Sequence, residues 1–153
     1  MDDFLEKLIE ILKEINIKPV VYGSVGVSMY LGKFKEFEDL DLLIEDKYFN
    51  SDWETLKNFL ESKGFILTDE KEHEFKLGGR KVGFASSGIL FRDKIVDNYS
   101  QLVKFKNTDA LTLTPADFLK AYKFSLKDGY RIHMRNKKDK EIIERLEAYL
   151  KTV

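Results

Sequence analysis

Residues 20–45 read VVYGSVGVSMYLGKFKEFEDLDLLIE, and two features of this stretch are unusual for buried structure. The apolar run 20–22 is followed by Gly23-Ser24, where a strand would be expected simply to end. Asp39 and Asp41 interrupt the segment DLDLLI, which otherwise has the composition of a buried strand. Strands are depleted in Asp and a buried carboxylate needs a partner, so both features need a chemical explanation.

The spacing of the two aspartates indicates a metal ion. Side chains alternate along a strand, so Asp39 and Asp41 point to the same face, about 7 Å apart along the chain. Two carboxylates this close are stabilised by a cation between them. Hard oxygen ligands favour Mg²⁺ or a similar ion such as Mn²⁺.

The Gly23-Ser24 pair is typical of a phosphate site. A strand that ends in Gly-Ser before a helix places backbone N–H groups and a hydroxyl where a phosphate can bind, and glycine permits close approach. No Gly-Lys-Ser/Thr follows, so this is not a Walker loop. A phosphate cradle followed by a metal-binding carboxylate pair suits phosphoryl or nucleotidyl transfer. The alternative is a tight turn followed by acids at a sheet edge, with no ligand.

The order strand, Gly23-Ser24, helix, then Asp39-Leu40-Asp41 on the next strand resembles the signature of the nucleotidyltransferase-fold superfamily. That superfamily includes DNA polymerase beta, the lincosamide nucleotidyltransferases and the small nucleotidyltransferases of toxin–antitoxin systems. The gap of 14 residues between Ser24 and Asp39 is slightly longer than is usual there. The resemblance spans roughly residues 15–150. It implies Mg²⁺-dependent or Mn²⁺-dependent transfer of a nucleoside monophosphate from a nucleoside triphosphate to an acceptor hydroxyl.

The resemblance also implies roles for individual residues. Gly23 and Ser24 would hold the β- and γ-phosphates. Asp39 and Asp41 would hold the metal ion and act in catalysis. Lys123, on the first of two C-terminal helices, would face the triphosphate.

Several of these residues have ordinary alternatives. The resemblance also includes a Lys-Asp pair that opens the last helix, here Lys138-Asp139. Lys123 is equally explained as a solvated lysine, and Lys138-Asp139 as the cap of the last helix. Trp53, Phe59 and the Tyr and Phe residues of the helix that begins at Pro115 are predicted to be core. No stacking motif for single-stranded nucleic acid is present.

The sequence departs from the family pattern at Gly83. Catalytic members carry a third carboxylate on a later strand, and GGRKVGFAS has Gly83 at that place. If Gly78-Gly79 is a two-residue hairpin loop, Glu74 lies opposite Gly83 on the same face of the sheet. We therefore predict that Glu74 replaces the missing catalytic acid, the alternative being an exposed glutamate on an edge strand.

Hydrophobic periodicity and turn residues predict an α+β protein. Helices are expected over residues 3–15, 25–31, 51–63, 115 onwards and 135–150, and strands over 20–22, 40–44, 65–68, 72–77 and 80–86, with a hairpin around 107–109. Residues 88–107 have no clear pattern. The prediction is a nucleotidyltransferase-like fold with a mixed central sheet flanked by helices and a C-terminal helical pair. It forms a single domain over 1–153, with its core at about 15–113 and the C-terminal helices at about 114–151.

Composition restricts the class of protein. The 153 residues are 43% hydrophobic and 35% charged, as in soluble globular proteins, and there are no cysteines for disulfides or thiolate metal sites. No apolar run is long enough to span a membrane, and the acidic, amphipathic start is unlike a signal peptide. We expect a cytoplasmic protein.

Charge is unevenly distributed along the chain. Residues 118–153 hold ten Lys/Arg and five Asp/Glu, a net of +5, which leaves −6 on the rest because the total is −1. Such a division could bind a polyanion through a metal on one side and cations on the other. The alternative, which charge alone favours, is a solvated, lysine-rich helix face.

Three functions remain open from sequence. The first is an enzyme that uses a nucleoside triphosphate and an acceptor of unknown kind: a small molecule, a protein side chain or an RNA end. The second is a degraded relative that binds nucleotide or a partner protein, in the manner of an antitoxin, without turnover. The third is a structural domain whose acids form salt bridges with the basic half. The fold does not decide among them.

Overall fold

The computed structural model describes residues 3–32, 39–126 and 136–153. Their strands form one seven-stranded sheet in the order β3-β4-β5-β2-β1-β7-β6. The strands are β1 (Val20–Tyr22), β2 (Asp39–Ile44), β3 (Ile66–Asp69), β4 (Glu74–Leu77), β5 (Arg80–Ser86), β6 (Val103–Lys104) and β7 (Leu111–Thr112). β2 pairs with β5 and β1 with β7 in parallel, and the remaining neighbours are antiparallel, so the sheet is mixed.

Helices cover the sheet on both sides. The described α-helices are α1 (Asp3–Lys13), α2 (Gly23–Leu31), α3 (Trp53–Ser62), α4 (Gly88–Arg92), α5 (Pro115–Ser125) and α6 (Asn136–Thr152). The predicted α+β class, with a mixed sheet and a C-terminal helical pair, is confirmed. No helix in the described ranges has the length and apolar character that a membrane crossing requires.

The core has one part on each face of the sheet. Leu42 and Leu43 are both buried but belong to different hydrophobic clusters, because successive side chains of a strand point to opposite faces. One cluster joins the sheet to α1 and α3, and the other joins it to α4, α5 and α6. Asp39 and Asp41 share the face of Leu43, just beyond the end of the second cluster.

Helix α2 lies unusually close to the sheet because of Gly26. A β-carbon at this position would come within 2.6 Å of the Val21 carbonyl oxygen and 2.7 Å of Phe118 Cζ. Thr112 Oγ1 also donates a hydrogen bond of 2.7 Å to Val21 O, which joins β7 to β1 beneath the helix. The helix that follows the Gly-Ser corner is therefore fixed in position by close packing.

The local signals predicted most elements, with shifts at their ends. α2 starts at Gly23 rather than Val25, so the Gly-Ser pair lies in its first turn. α5 begins at Pro115 as predicted, and the Thr114 hydroxyl caps it by accepting a hydrogen bond of 3.2 Å from Asp117 N. Residues 88–107, which had no clear pattern, contain α4, a 3₁₀ turn at Tyr99–Gln101 and β6.

Candidate active site

A row of residues crosses four neighbouring strands on one face of the sheet. Tyr22 is paired with Asp41, Asp41 with Gly83, and Gly83 with Glu74. The Gly78-Gly79 hairpin thus has the predicted register, and Glu74 lies opposite Gly83 as expected. Gly83, the position at which the resembling family carries its third acid, therefore lies between Asp41 and Glu74 and has no side chain.

Asp41 lies directly against the Gly-Ser corner. Gly23 has φ +62°, and a β-carbon there would be 2.5 Å from Asp41 Oδ2 and 3.3 Å from Asp41 Cγ. Only glycine permits this contact, since any side chain would displace the carboxylate. The corner and the acidic strand, separated by 14 residues in sequence, therefore meet in space.

A cavity of about 670 Å³ opens over this contact. Gly23 and Ser24 line it, together with both predicted metal-binding aspartates. The acids among its described lining residues are Asp39, Asp41, Glu72, Glu74 and Asp93. A cavity of this size can accommodate a nucleotide, since small-molecule sites are typically about 300–1,000 Å³.

The N-terminus of α2 faces the cavity. Tyr22 is the N-cap residue but makes no side-chain cap hydrogen bond, and the first turn contains no acidic residue. The first backbone N–H groups of a helix have no acceptor within the helix, and the helix dipole makes this end positive. This part of the cavity is suited to an anion.

The donor chemistry of Asp39 and Asp41 fits a hard divalent cation. Both residues are exposed on one strand face and line the cavity, and Gly23 leaves a space that the Asp41 carboxylate fills. In residues 3–32, 39–126 and 136–153, however, no group of three or more His, Cys, Asp or Glu is placed to hold a metal ion. Among the described residues, Asp39 and Asp41 are therefore the two candidate protein ligands for such an ion.

Glu74 lies two strands away from Asp41, about 10 Å between Cα atoms at ordinary strand spacing. Its Oε1 accepts a hydrogen bond of 2.9 Å from Thr68 Oγ1 and lies 3.9 Å from Lys81 Nζ. Its side chain is 30% exposed. It is therefore neither deeply buried nor the fully exposed edge-strand glutamate of the alternative prediction. The carboxylate is held at the cavity wall beside Gly83.

The structure places the two candidate lysines differently. Lys123 Nζ lies 3.8 Å from Glu147 Oε2 and is 55% exposed, and this residue is not among those that line the cavity. Lys138, the second lysine named from the resemblance, does line it. Its neighbour Asp139 is fully buried and accepts a hydrogen bond of 3.3 Å from Ser125 Oγ.

Two lining residues were not predicted from sequence, and a third was predicted to be in the core. Glu72 and Asp93 lie in or next to turns, where acids are common, so no local signal distinguishes them. Phe124 was expected in the core with the other aromatic residues of α5, but it is 43% exposed and lines the cavity. Phe118 and Tyr122 are buried as predicted.

The chain is similar over 141 residues to the uncharacterized protein YnaI of Bacillus subtilis strain 168, at 38% identity. The match covers 91% of this chain and 90% of YnaI. The chain belongs to the YnaI family. No protein-family model matches it.

Two solved structures of the antibiotic-resistance factor ANT(2″)-Ia resemble the YnaI-family chain. The solution structure has a TM-score of 0.59 at 13% identity and covers 97% of this chain and 90% of that one. The crystal structure, in complex with adenylyl-2″-tobramycin, has a TM-score of 0.62 at 12% identity and covers 96% and 87%. At such identity the likeness shows the fold alone, and the predicted nucleotidyltransferase fold is confirmed.

Proposed function

We propose that this protein transfers a nucleoside monophosphate from a nucleoside triphosphate to an acceptor hydroxyl, with Mg²⁺ or Mn²⁺. The observation that carries the proposal is the meeting of two sites in one cavity. The N-terminus of α2 suits a polyphosphate, and the Asp41 carboxylate lies against its first residue, Gly23. The fold is also one that ANT(2″)-Ia, whose complex contains an adenylylated antibiotic, uses.

The positions of the residues support the roles that we propose for them. Gly23 and Ser24 bind the β- and γ-phosphates through the first turn of α2. Asp39 and Asp41 hold the divalent ion, which when bound would neutralise charge on the phosphate oxygens. We assign the phosphate-binding cation to Lys138 rather than Lys123, because Lys138 lines the cavity and Lys123 pairs with Glu147.

At the α-phosphorus, one bond forms and one breaks. The acceptor oxygen bonds to the α-phosphorus, the bond from that phosphorus to the bridging oxygen breaks, and pyrophosphate leaves. The hydroxyl proton passes to Glu74, which Thr68 holds at the cavity wall beside Gly83. We assign Glu74 to proton transfer rather than metal binding, because the described residues offer no group of three acids around an ion.

Pyrophosphate release with each of the four nucleoside triphosphates tests the proposal. Three classes of acceptor should be supplied in turn: hydroxyl-bearing small molecules, proteins and RNA ends. Asp41→Asn should abolish release, whereas Asp109→Asn should not, because Asp109 is an exposed carboxylate paired with Lys13 outside the cavity. Glu74→Gln should lower turnover and leave Mg²⁺–ATP binding intact, and full activity in that variant would remove Glu74 from the mechanism.

A second function is favoured by one observation, the absence of a carboxylate at Gly83. A domain that lacks this acid could bind nucleotide or a partner protein without turnover, as an antitoxin-like relative would. Mg²⁺-dependent ATP binding with no pyrophosphate release for any acceptor would support this reading. A chain that shows no Mg²⁺-dependent binding of any of the four nucleoside triphosphates would contradict the transferase and the nucleotide-binding form of this second function.

A further inference from the structure

One aromatic side chain of the cavity is exposed although its neighbours are buried. The large apolar side chains that are exposed within the described ranges are Ile66, Tyr99, Phe124 and Val153. Of these four, Phe124 is the one that lines the cavity. Exposed apolar area inside a concave site is area that a ligand can remove from water.

The position of Phe124 is fixed by the contacts of the next residue. Ser125 Oγ donates to Tyr122 O at 2.8 Å and to the buried Asp139 at 3.3 Å, which joins the last turn of α5 to the first turn of α6. Tyr122 itself is 7% exposed and packs in the core. The ring of Phe124 is therefore presented from a backbone that both helices hold in place.

The residues that α5 and α6 contribute to the cavity differ in character from several others that line it. Phe124 and Lys138 come from α5 and α6 and line the same cavity as Gly23 and Ser24, the first residues of α2. The acids Glu72, Glu74 and Asp93 come from the β3–β4 turn, β4 and the end of α4. A nucleoside triphosphate combines a polyanion with a flat aromatic base, which matches an aromatic ring and a cation and not a group of acids.

We propose that Phe124 is the stacking platform for the nucleobase of the bound triphosphate. This inference rests on the proposed function and adds the location of the base, with the phosphates at Gly23 and Ser24 in the same cavity. Stacking acts on every base because each has a π-face, so the platform should accept purines and pyrimidines and favour the purines, which have the larger ring area.

The test compares Mg²⁺-dependent binding of ATP with binding of inorganic tripolyphosphate, by calorimetry, in the full chain. Phe124→Ala should weaken ATP binding about 5-fold to 100-fold and leave tripolyphosphate binding within 2-fold, since alanine removes only the stacking partner. Phe124→Trp should keep or improve ATP affinity. The ATP affinity of Phe124→Leu should lie between those of Phe124→Ala and Phe124→Trp. Ile66→Ala, which removes an exposed apolar side chain outside the cavity, should change neither affinity.

Failure of this inference is distinguishable from failure of the proposed function. A wild-type chain that binds neither ligand with Mg²⁺ contradicts the function itself. A wild-type chain that binds ATP, together with a Phe124→Ala variant of equal ATP affinity, overturns the platform alone. Equal loss of ATP and tripolyphosphate binding in that variant also overturns it, because the defect would then be one of folding or of the phosphate site.

Discussion

Gly23 and Asp41 are so close that a single β-carbon on Gly23 would lie 2.5 Å from Asp41 Oδ2. Gly23 opens α2, and Asp41 is paired across the sheet with Tyr22, the residue before it. The absence of a side chain at one position thus sets the location of a carboxylate at the other. This contact joins the proposed phosphate-binding and metal-binding parts of the site.

Gly23→Ala should reduce both stability and ligand binding. The backbone at Gly23 has φ +62°, which costs an alanine about 1–2 kcal/mol, and the new methyl group must also displace Asp41. Gly78→Ala is the matched control, because Gly78 has φ +61° and nothing within 4 Å of an added β-carbon. Thermal unfolding with and without Mg²⁺–ATP should show similar backbone costs in both variants and loss of the ligand-induced shift only in Gly23→Ala. Equal ligand shifts would contradict the prediction.

Gly83→Asp should create a metal-dependent gain of stability. A β-carbon on Gly83 would lie 3.9 Å from Asp41 Oδ1, an ordinary contact, so a carboxylate fits there beside Asp41. Without metal, the two like charges should make this variant less stable than Gly83→Asn, which has the same shape and no charge. With Mn²⁺ the order of melting temperatures should reverse. An order that Mn²⁺ does not change would show that no cation binds near Asp41.

Gly26→Ala should destabilise the protein by about 1–3 kcal/mol through overpacking. The added methyl group would come within 2.6 Å of Val21 O, a backbone atom that cannot move without disturbing β1. Gly79→Ala is the control, because an added β-carbon there meets nothing within 4 Å. Urea unfolding of the two variants measures the difference. Equal stabilities would show that α2 does not need close contact with the sheet.

Tyr30 should make stability depend on pH in the alkaline range. Its hydroxyl donates a hydrogen bond of 2.8 Å to Leu113 O, and burial, with smaller effects of Tyr149 and Asp117, raises its pKa to about 12. An unfolded tyrosine ionises near pH 10, so between about pH 10 and 12 the unfolded chain binds fewer protons than the folded one. The free energy of unfolding should therefore fall as pH rises through this window.

Tyr30→Phe isolates this effect, because it removes the ionisable hydroxyl and keeps the ring. The variant should be less stable than the wild type below pH 10, where it lacks the bond to Leu113, and should lose less stability as pH rises towards 12. Urea unfolding at several pH values gives both curves. Parallel curves across the window would contradict the assignment.

The parts of the site that were predicted from sequence depend on short-range rules. A two-residue Gly78-Gly79 loop fixes hairpin register, so the opposition of Glu74 and Gly83 follows from local geometry. The alternation of side chains along β2 likewise places Asp39 and Asp41 on one face. These features do not depend on the packing of distant elements.

The parts that were not predicted depend on long-range packing. Lys123 and Phe124 are neighbours about 100° apart on α5, and which of them reaches the cavity is decided by how α6 packs against that helix. Asp93 follows a helix of five residues, which is too short to show a periodic pattern. Its place in the cavity depends on how α4 packs against the sheet.

The most direct test of the central claim is a crystal structure with a non-hydrolysable ATP analogue and Mn²⁺, in which anomalous scattering locates the ion. We expect the Mn²⁺ peak within coordination distance of Asp39 and Asp41, with the analogue's polyphosphate on the first-turn N–H groups of Gly23 and Ser24. A nucleotide bound elsewhere, or a Mn²⁺ peak remote from both aspartates, would contradict the account.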